Sequence, residues 1–455
     1  MMESLDTTDT SVSNQSGNIK KIILGLVALG LVSLVCLGVV AYFFFDQLWE
    51  RVNSVTEFTA ASGEQPVSNQ IAIVGNDDNI WLISPDSEEM RQITTDGRGY
   101  RFPTWAPDGR YLAFVGPDEA NTTTLYVTAA SKNEPMPLFN EANSAPFYLY
   151  WSPDSHLITF LTQERVGLAM READAIAGTT RLLAEGSPFY WVWSPAGDKL
   201  LMHVGGARTL SEKAHLSILE NQEDAERVEL NLAPGNFQAP LWSTDGKFFY
   251  YIASDDQGRE SIYRTEANTL EQNRVTNLAG FAYMVLSSTG EHIAYMQIEQ
   301  SRPPFGTAYI VDTDGQNHMR LTDDPVGSMY WSPDGTKLAL LTISRQQDGG
   351  STASNGILAS PLPQEVVFRW MIYHVETDEL EPLVSFDPTV DFLQLIPFFD
   401  QYHLSLTFWS PDSRYLVISK ENAGETTGTI WVVDTTGEEE PRQVAEGTLA
   451  IWSWQ

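Results

Sequence analysis

Residues 331–342 read WSPDGTKLALLT. Proline fixes φ, the aspartate side chain can bond its own local backbone and glycine accepts a positive φ. Pro333-Asp334-Gly335 therefore has the chemistry of a tight hairpin turn leading into an apolar strand. Copies of the phrase begin at Trp105 (WAPDG), Trp151 (WSPDS), Trp193 (WSPAG), Trp242 (WSTDG), Leu286 (LSSTG), Trp409 (WSPDS) and, cut short, Trp452 (WSW). Their period is about 45 residues, with one longer interval between Trp331 and Trp409. Further strand-like pieces follow each full copy, such as YLVIS from Tyr415, IWVVD from Ile430 and MRLT from Met319. Four short strands per unit, repeated at this period, predict the radially arranged blades of a β-propeller, with each motif tryptophan packed between blades.

The two ends of the repeat region complement each other. Residues 70–94 supply QIAIV, IWLIS and RQIT, the second, third and fourth strands of a unit without its first. Residues 448–454 supply TLAIWSW, a first strand with nothing after it. The last strand is thus expected to complete the first blade, which leaves no open sheet edge. The fold class expected over residues 70–455 is an all-β, eight-bladed propeller, or a seven-bladed one if the unit at Leu286 is not a blade.

Composition fits an ordered chain: of 455 residues, 42% are hydrophobic, 11% aromatic and 19% charged. Against 60 Asp plus Glu stand only 27 Lys plus Arg, a formal net charge of -33. Nucleic acid is therefore excluded as a partner, because binding it requires basic side chains to neutralise phosphates. Cys36, the single cysteine, excludes an intramolecular disulfide and a cysteine-based metal cluster.

Residues 22–45 (IILGLVALGLVSLVCLGVVAYFFF) carry no charge, and a helix of that length spans a bilayer. Lys20 and Lys21 precede it, while Asp46 and Glu50 follow, so the positive-inside rule places the N-terminus in the cytoplasm and the bulk of the chain outside. The run is longer than a signal-peptide core, and no small-residue cleavage site follows closely, so residues 20–45 read as an uncleaved signal anchor. Residues 1–19, rich in Ser, Thr and Asp, read as a disordered cytoplasmic tail, and residues 46–69 as a stalk.

The phrase Trp331-Ser-Pro-Asp-Gly335, followed by an apolar strand, an IWVVD-type strand and an Arg-x-Leu-Thr strand, resembles the repeats of TolB-type propellers, also found in the propeller domains of prolyl oligopeptidase-like enzymes. The resemblance covers nearly all of residues 70–455. It implies a periplasmic protein-interaction module of the cell envelope. Eight units and an uncleaved anchor differ from the six blades behind a cleavable signal of TolB itself.

The sequence offers no catalytic residues: it has no Gly-x-Ser-x-Gly elbow, phosphate-binding glycine loop or His-Glu-x-x-His helix. No cofactor or metal is expected. The aspartates of the motif recur once per unit at one offset and read as turn chemistry. Candidate binding residues stand instead at the leading ends of the innermost strands, which should surround one mouth of the channel. They are Tyr100, Arg101, Phe147, Tyr148, Phe189, Tyr190, Phe237, Gln238 and Tyr283, with His403 nearby. Aromatic walls with a few polar groups suit a ligand funnel, whereas packing between blades is the plain structural reading.

The long interval holds insertions at 344–364 and 387–402. The second carries Phe392, Leu395, Phe398 and Phe399, expected to project as a partner-binding loop or to pack over the blade. The expected function is an extracytoplasmic platform, anchored in the membrane, that binds an envelope protein or peptide. The alternatives are an envelope lyase or hydrolase acting on a sugar polymer or peptide in the channel, or a sensor ectodomain.

Overall fold

The computed structural model describes residues 66–455 apart from 87–88, 187–188, 206–213, 223, 231, 233, 236–237, 256, 299–304, 346–365 and 423–426. The predicted span, the cytoplasmic tail, most of the stalk, most of the first insertion and Phe237 lie outside the described residues. Among the described residues no helix is long and apolar enough to cross a membrane.

The described chain is antiparallel sheet almost throughout, as expected of an all-β propeller. Residues 101–139, 145–186, 189–229 and 241–277 each form one four-stranded sheet whose strands pair in chain order. The strands of residues 282–386 form one eight-stranded sheet, but among the described residues its two halves are joined only through the pairing of Gly306 with Val326. Residues 415–446 form three strands, and Trp409 adds a single bridge to Leu416 where a first strand would lie. The terminal strand, Leu449–Trp452, pairs with Ile71–Val74 and completes a sheet otherwise built from residues 71–92.

Local chemistry explains why these elements form. At Trp331 the turn is held by the Ser332 hydroxyl donating to Asp334 Oδ1 (2.6 Å), by the Thr336 amide donating to the same oxygen (2.9 Å) and by the Lys337 amide donating to Ser332 Oγ (3.0 Å). The turns at Ser152, Ser243 and Ser410 repeat this pattern with Asp154, Asp245 and Asp412. Gly109 and Gly335 both sit at φ +71°. Where the motif has serine in place of that glycine, Ser155 and Ser413 adopt φ 63° and 60°, and each hydroxyl accepts the amide of an aspartate in a neighbouring turn, Asp108 and Asp334 respectively, at 3.0 Å. The strained serine thus ties one sheet to the next.

Three of the motif tryptophans do the same from within the core. Trp151 Nε1 donates to Thr104 O (3.0 Å), Trp331 Nε1 to Val285 O (3.3 Å) and Trp409 Nε1 to Tyr330 O (3.0 Å), each reaching the first strand of the preceding repeat. A bulge recurs between the last two strands of five repeats, at Leu125/Tyr126, Met170/Arg171, Ile262/Tyr263, Trp370/Met371 and Ile430/Trp431. Bulges there increase the local twist of each sheet. Val67, whose amide donates to Gly109 O (3.2 Å), and Asn69, whose amide donates to Gln455 O (2.6 Å), belong with the sheets rather than with a free stalk. The chain therefore enters the domain on the face that carries the motif turns.

Candidate functional site

The second insertion does not project. Its segment opens by pairing with the strand Tyr415–Glu421, through the bridge of Pro388 to Lys420 and the Thr389 amide to Ser419 O (3.2 Å). It then forms a helical turn, α1 (Val390–Leu393), a 3-10 turn (Ile396–Phe398) and a second helical turn, α2 (Phe399–Tyr402). Thr389 caps α1, its hydroxyl accepting the Phe392 amide. Phe392, Leu395 and Phe399 are buried, each 1% exposed, and only Phe398, at 49%, fits the expectation of an exposed partner loop. The reason is the apolar content of the run, which the ends of the innermost strands take up.

The contacts of the segment circle the sheets. The Asp391 carboxylate accepts Arg101 of the second sheet (3.1 Å) and the Thr448 hydroxyl next to the terminal strand (2.5 Å). Ile396 lies against Gly327, where a Cβ would stand 3.4 Å from its Cγ2. Phe399 packs edge-on to Tyr283, with centroids 5.7 Å apart. Asp400 Oδ2 accepts the Ala239 amide (2.9 Å). Gln401 pairs its side-chain amide with the backbone of Trp191 in both directions: Oε1 accepts the Trp191 amide (3.3 Å) and Nε2 donates to the Trp191 carbonyl (3.1 Å). Tyr402 stacks on Phe102 and meets Tyr148 edge-on. A segment this short can reach the innermost strands of so many sheets only from their common centre; it is a plug in the hub.

Two bulges aim side chains at the plug. Phe102 and Tyr148 lie at irregularities between the first and second strands of their sheets, at φ 54° and 47°. Such backbone is uncommon for bulky residues and persists where surrounding contacts over-determine it. Here those contacts are Tyr402 and the Tyr148 hydroxyl, which donates to Gln401 O (3.0 Å) and accepts Gln401 Nε2.

The structure separates the expected mouth residues. Of these, Tyr148 and Tyr283 meet the plug, as does the neighbouring Phe102, and half-exposed Arg101 salt-bridges Asp391. Tyr190 is half-buried and near enough to Asp400 for that carboxylate to help raise the phenol, although burial is the larger cause. Phe147 is half-buried at the start of its strand. Tyr100 and Phe189 do not line a mouth: Tyr100 packs on Phe114 and Tyr126 within its own sheet, and Phe189 is 1% exposed. Alternation along the strand turns both into the core. Gln238 is buried, and its carbonyl accepts His203 Nδ1–H (2.9 Å).

Sequence reasoning missed Asp400 and Gln401, both buried. Their signal was two polar residues inside an otherwise apolar run. Burial pushes the Asp400 carboxyl up to about 7, against its bond from Ala239, and among the described residues Asp400 Oδ1 has no hydrogen-bond partner. His403 ends the plug. Its Nδ1 faces the Phe399 carbonyl (3.2 Å), which can only accept, so Nδ1 carries the proton; burial lowers the ring to about 4 and keeps it neutral. Among the described residues no group of three or more His, Cys, Asp or Glu is placed to hold a metal ion.

No family model matches the chain. It is 24% identical over 277 residues to the uncharacterized protein Atu1656 of Agrobacterium fabrum, covering 57% of this chain and 90% of that one. Among solved structures it is similar to the dihydro-heme d1 dehydrogenase NirN, with a TM-score of 0.54, 13% identity and coverage of 85% of this chain and 76% of that one. It is also similar to a putative TolB from Agrobacterium tumefaciens, with a TM-score of 0.39, 21% identity and coverage of 58% and 94%. At these identities the likeness concerns the fold alone.

Proposed function

We propose that the chain is a non-enzymatic, TolB-like binding platform of the cell envelope. It is held in the membrane by residues 20–45, with its N-terminus cytoplasmic and an eight-bladed propeller outside. The blade count follows from treating residues 282–386 as two blades and the Trp409 bridge as the reduced first strand of the last blade, with the terminal strand closing the ring. The circuit of plug contacts supports that closure.

The observation that carries the platform reading is the plug itself. It fills the hub at the leading ends of the innermost strands and presents Val390 (62% exposed) and Phe398 (49% exposed), with Arg101 salt-bridged to Asp391 alongside. An apolar centre with a charged rim is the anatomy of a protein-contact surface. The expected partner is an envelope protein or peptide, and a basic surface would match the strongly acidic chain. The test is in-membrane crosslinking of the full-length protein, with captured proteins identified by mass spectrometry beside a Val390→Ser/Phe398→Ala variant. A reproducible partner lost in the variant is expected; absence of any partner, or capture unchanged by the variant, contradicts the reading.

A further inference from the structure

A separate cavity of about 260 Å³ lies beyond the plug, among the motif ends of the innermost strands. Trp242, Trp331 and Trp454 contribute its aromatic walls, and His403 and Tyr330 line it together with Ser288. Among the described residues, no Asp, Glu, Lys or Arg lines it, in a chain with a formal net charge of -33.

That lining restricts what can bind. An anion would meet no counter-charge and an unfavourable acidic field; a cation would be favoured by that field but would lose its hydration without a carboxylate in the lining to replace it. A wholly apolar guest would strand polar groups. Ser288 uses its proton on Ser332 O (3.0 Å), so its hydroxyl oxygen remains an acceptor. With Nδ1–H committed to Phe399, neutral His403 keeps a lone pair on Nε2, a second acceptor. Trp454 is half-buried, and its indole supplies an apolar wall. The volume is just below the roughly 300–1,000 Å³ usual for drug-sized ligands, so the guest is small.

We infer that this cavity binds a single neutral sugar ring, whose C–H face packs on the tryptophan walls while its hydroxyls donate to His403 Nε2 and Ser288 Oγ. The inference is independent of the platform reading, which rests on Val390, Phe398 and Arg101, none of them among the residues lining the cavity. It is tested with the full-length protein in detergent micelles, following tryptophan fluorescence and saturation-transfer NMR against uncharged methyl hexosides and N-acetylhexosamines. Hexuronates, hexosamines and indole serve as the anionic, cationic and apolar counterparts.

The expected result is saturable binding of at least one neutral sugar, weakened tenfold or more by Trp454→Ala and by Ser288→Phe. Two variants are used because either alone can disturb folding; thermal melting identifies the one that remains folded. The inference is overturned if no neutral sugar binds, if a charged sugar or indole binds in preference, or if the folded variant binds as tightly as the parent. Crosslinking of the Val390→Ser/Phe398→Ala variant separates the two accounts, since that change should leave sugar binding intact.

Discussion

The motif turns and the hub plug solve opposite problems. Each turn is built from residues within five positions of one another, such as Ser332, Asp334, Thr336 and Lys337, and the same bonds recur around the molecule. The plug occurs once, and the polar side chains that anchor it find their partners in distant parts of the chain: Gln401 in Trp191 and Tyr148, Asp400 in Ala239, Asp391 in Arg101 and Thr448. Losing one turn should therefore loosen one hairpin, whereas losing the plug should loosen the ring.

The largest effect is expected on replacing residues 390–402 with a Gly-Ser linker of equal length. Burial of Phe392, Leu395, Ile396 and Phe399 contributes about 1.5–3 kcal/mol per side chain. Calorimetry should show a much lower melting temperature or a broadened transition; an unchanged, sharp transition would break the contrast. Gln401→Ala should cost about 3 kcal/mol in denaturant titrations, because it leaves the Trp191 amide and carbonyl unpaired in the interior, while the Tyr148 hydroxyl keeps its bond to the residue 401 carbonyl.

Asp400 gives the contrast a pH signature. Its folded carboxyl is pushed up to about 7 by burial, above the ordinary value of 3.8. The folded state therefore holds the proton more tightly. The stability this contributes is fully present below about pH 4 and is lost as pH rises through 7. Asp400→Asn should match the parent near pH 4 and be more stable by about 2 kcal/mol at pH 8, as read from paired melts at both pH values. A constant difference between the two proteins across that range would remove Asp400 from the account.

The turns should respond more weakly. Gly335→Ala places a Cβ 2.9 Å from Thr289 Cγ2 at φ +71° and should cost about 1–2 kcal/mol. The smallest effect is expected of Arg101→Ala, which removes a half-exposed ion pair with Asp391 and should change stability by under about 1 kcal/mol.

The same contrast explains what was legible in the sequence. Turn chemistry is local, so the phrase beginning at Trp331 announces its hairpin, and strands such as Tyr415–Glu421 and Gly428–Asp434 follow from their apolar patterns. The complementary ends of the repeat likewise pointed to the pairing of Leu449–Trp452 with Ile71–Val74. The plug obeys no repeat, and nothing local in DFLQLIPFFDQY states which strands will receive it. Alternation also misdirects near the hub, because bulges at Phe102 and Tyr148 rotate those side chains out of the order that the pleat would give. Polar Asp400 and Gln401 within the apolar run were the one available hint that the segment is buried through specific bonds.

Hydrogen–deuterium exchange of the full-length protein, resolved to peptides spanning residues 390–409, tests the plug most directly. Protection of the His403 and Leu406 amides comparable to that of strands such as Tyr415–Glu421 is the result predicted by their bonds to Phe399 O (2.9 Å) and Tyr402 O (3.0 Å) in a filled hub. Exchange of the whole segment at the rate of an exposed loop would contradict it.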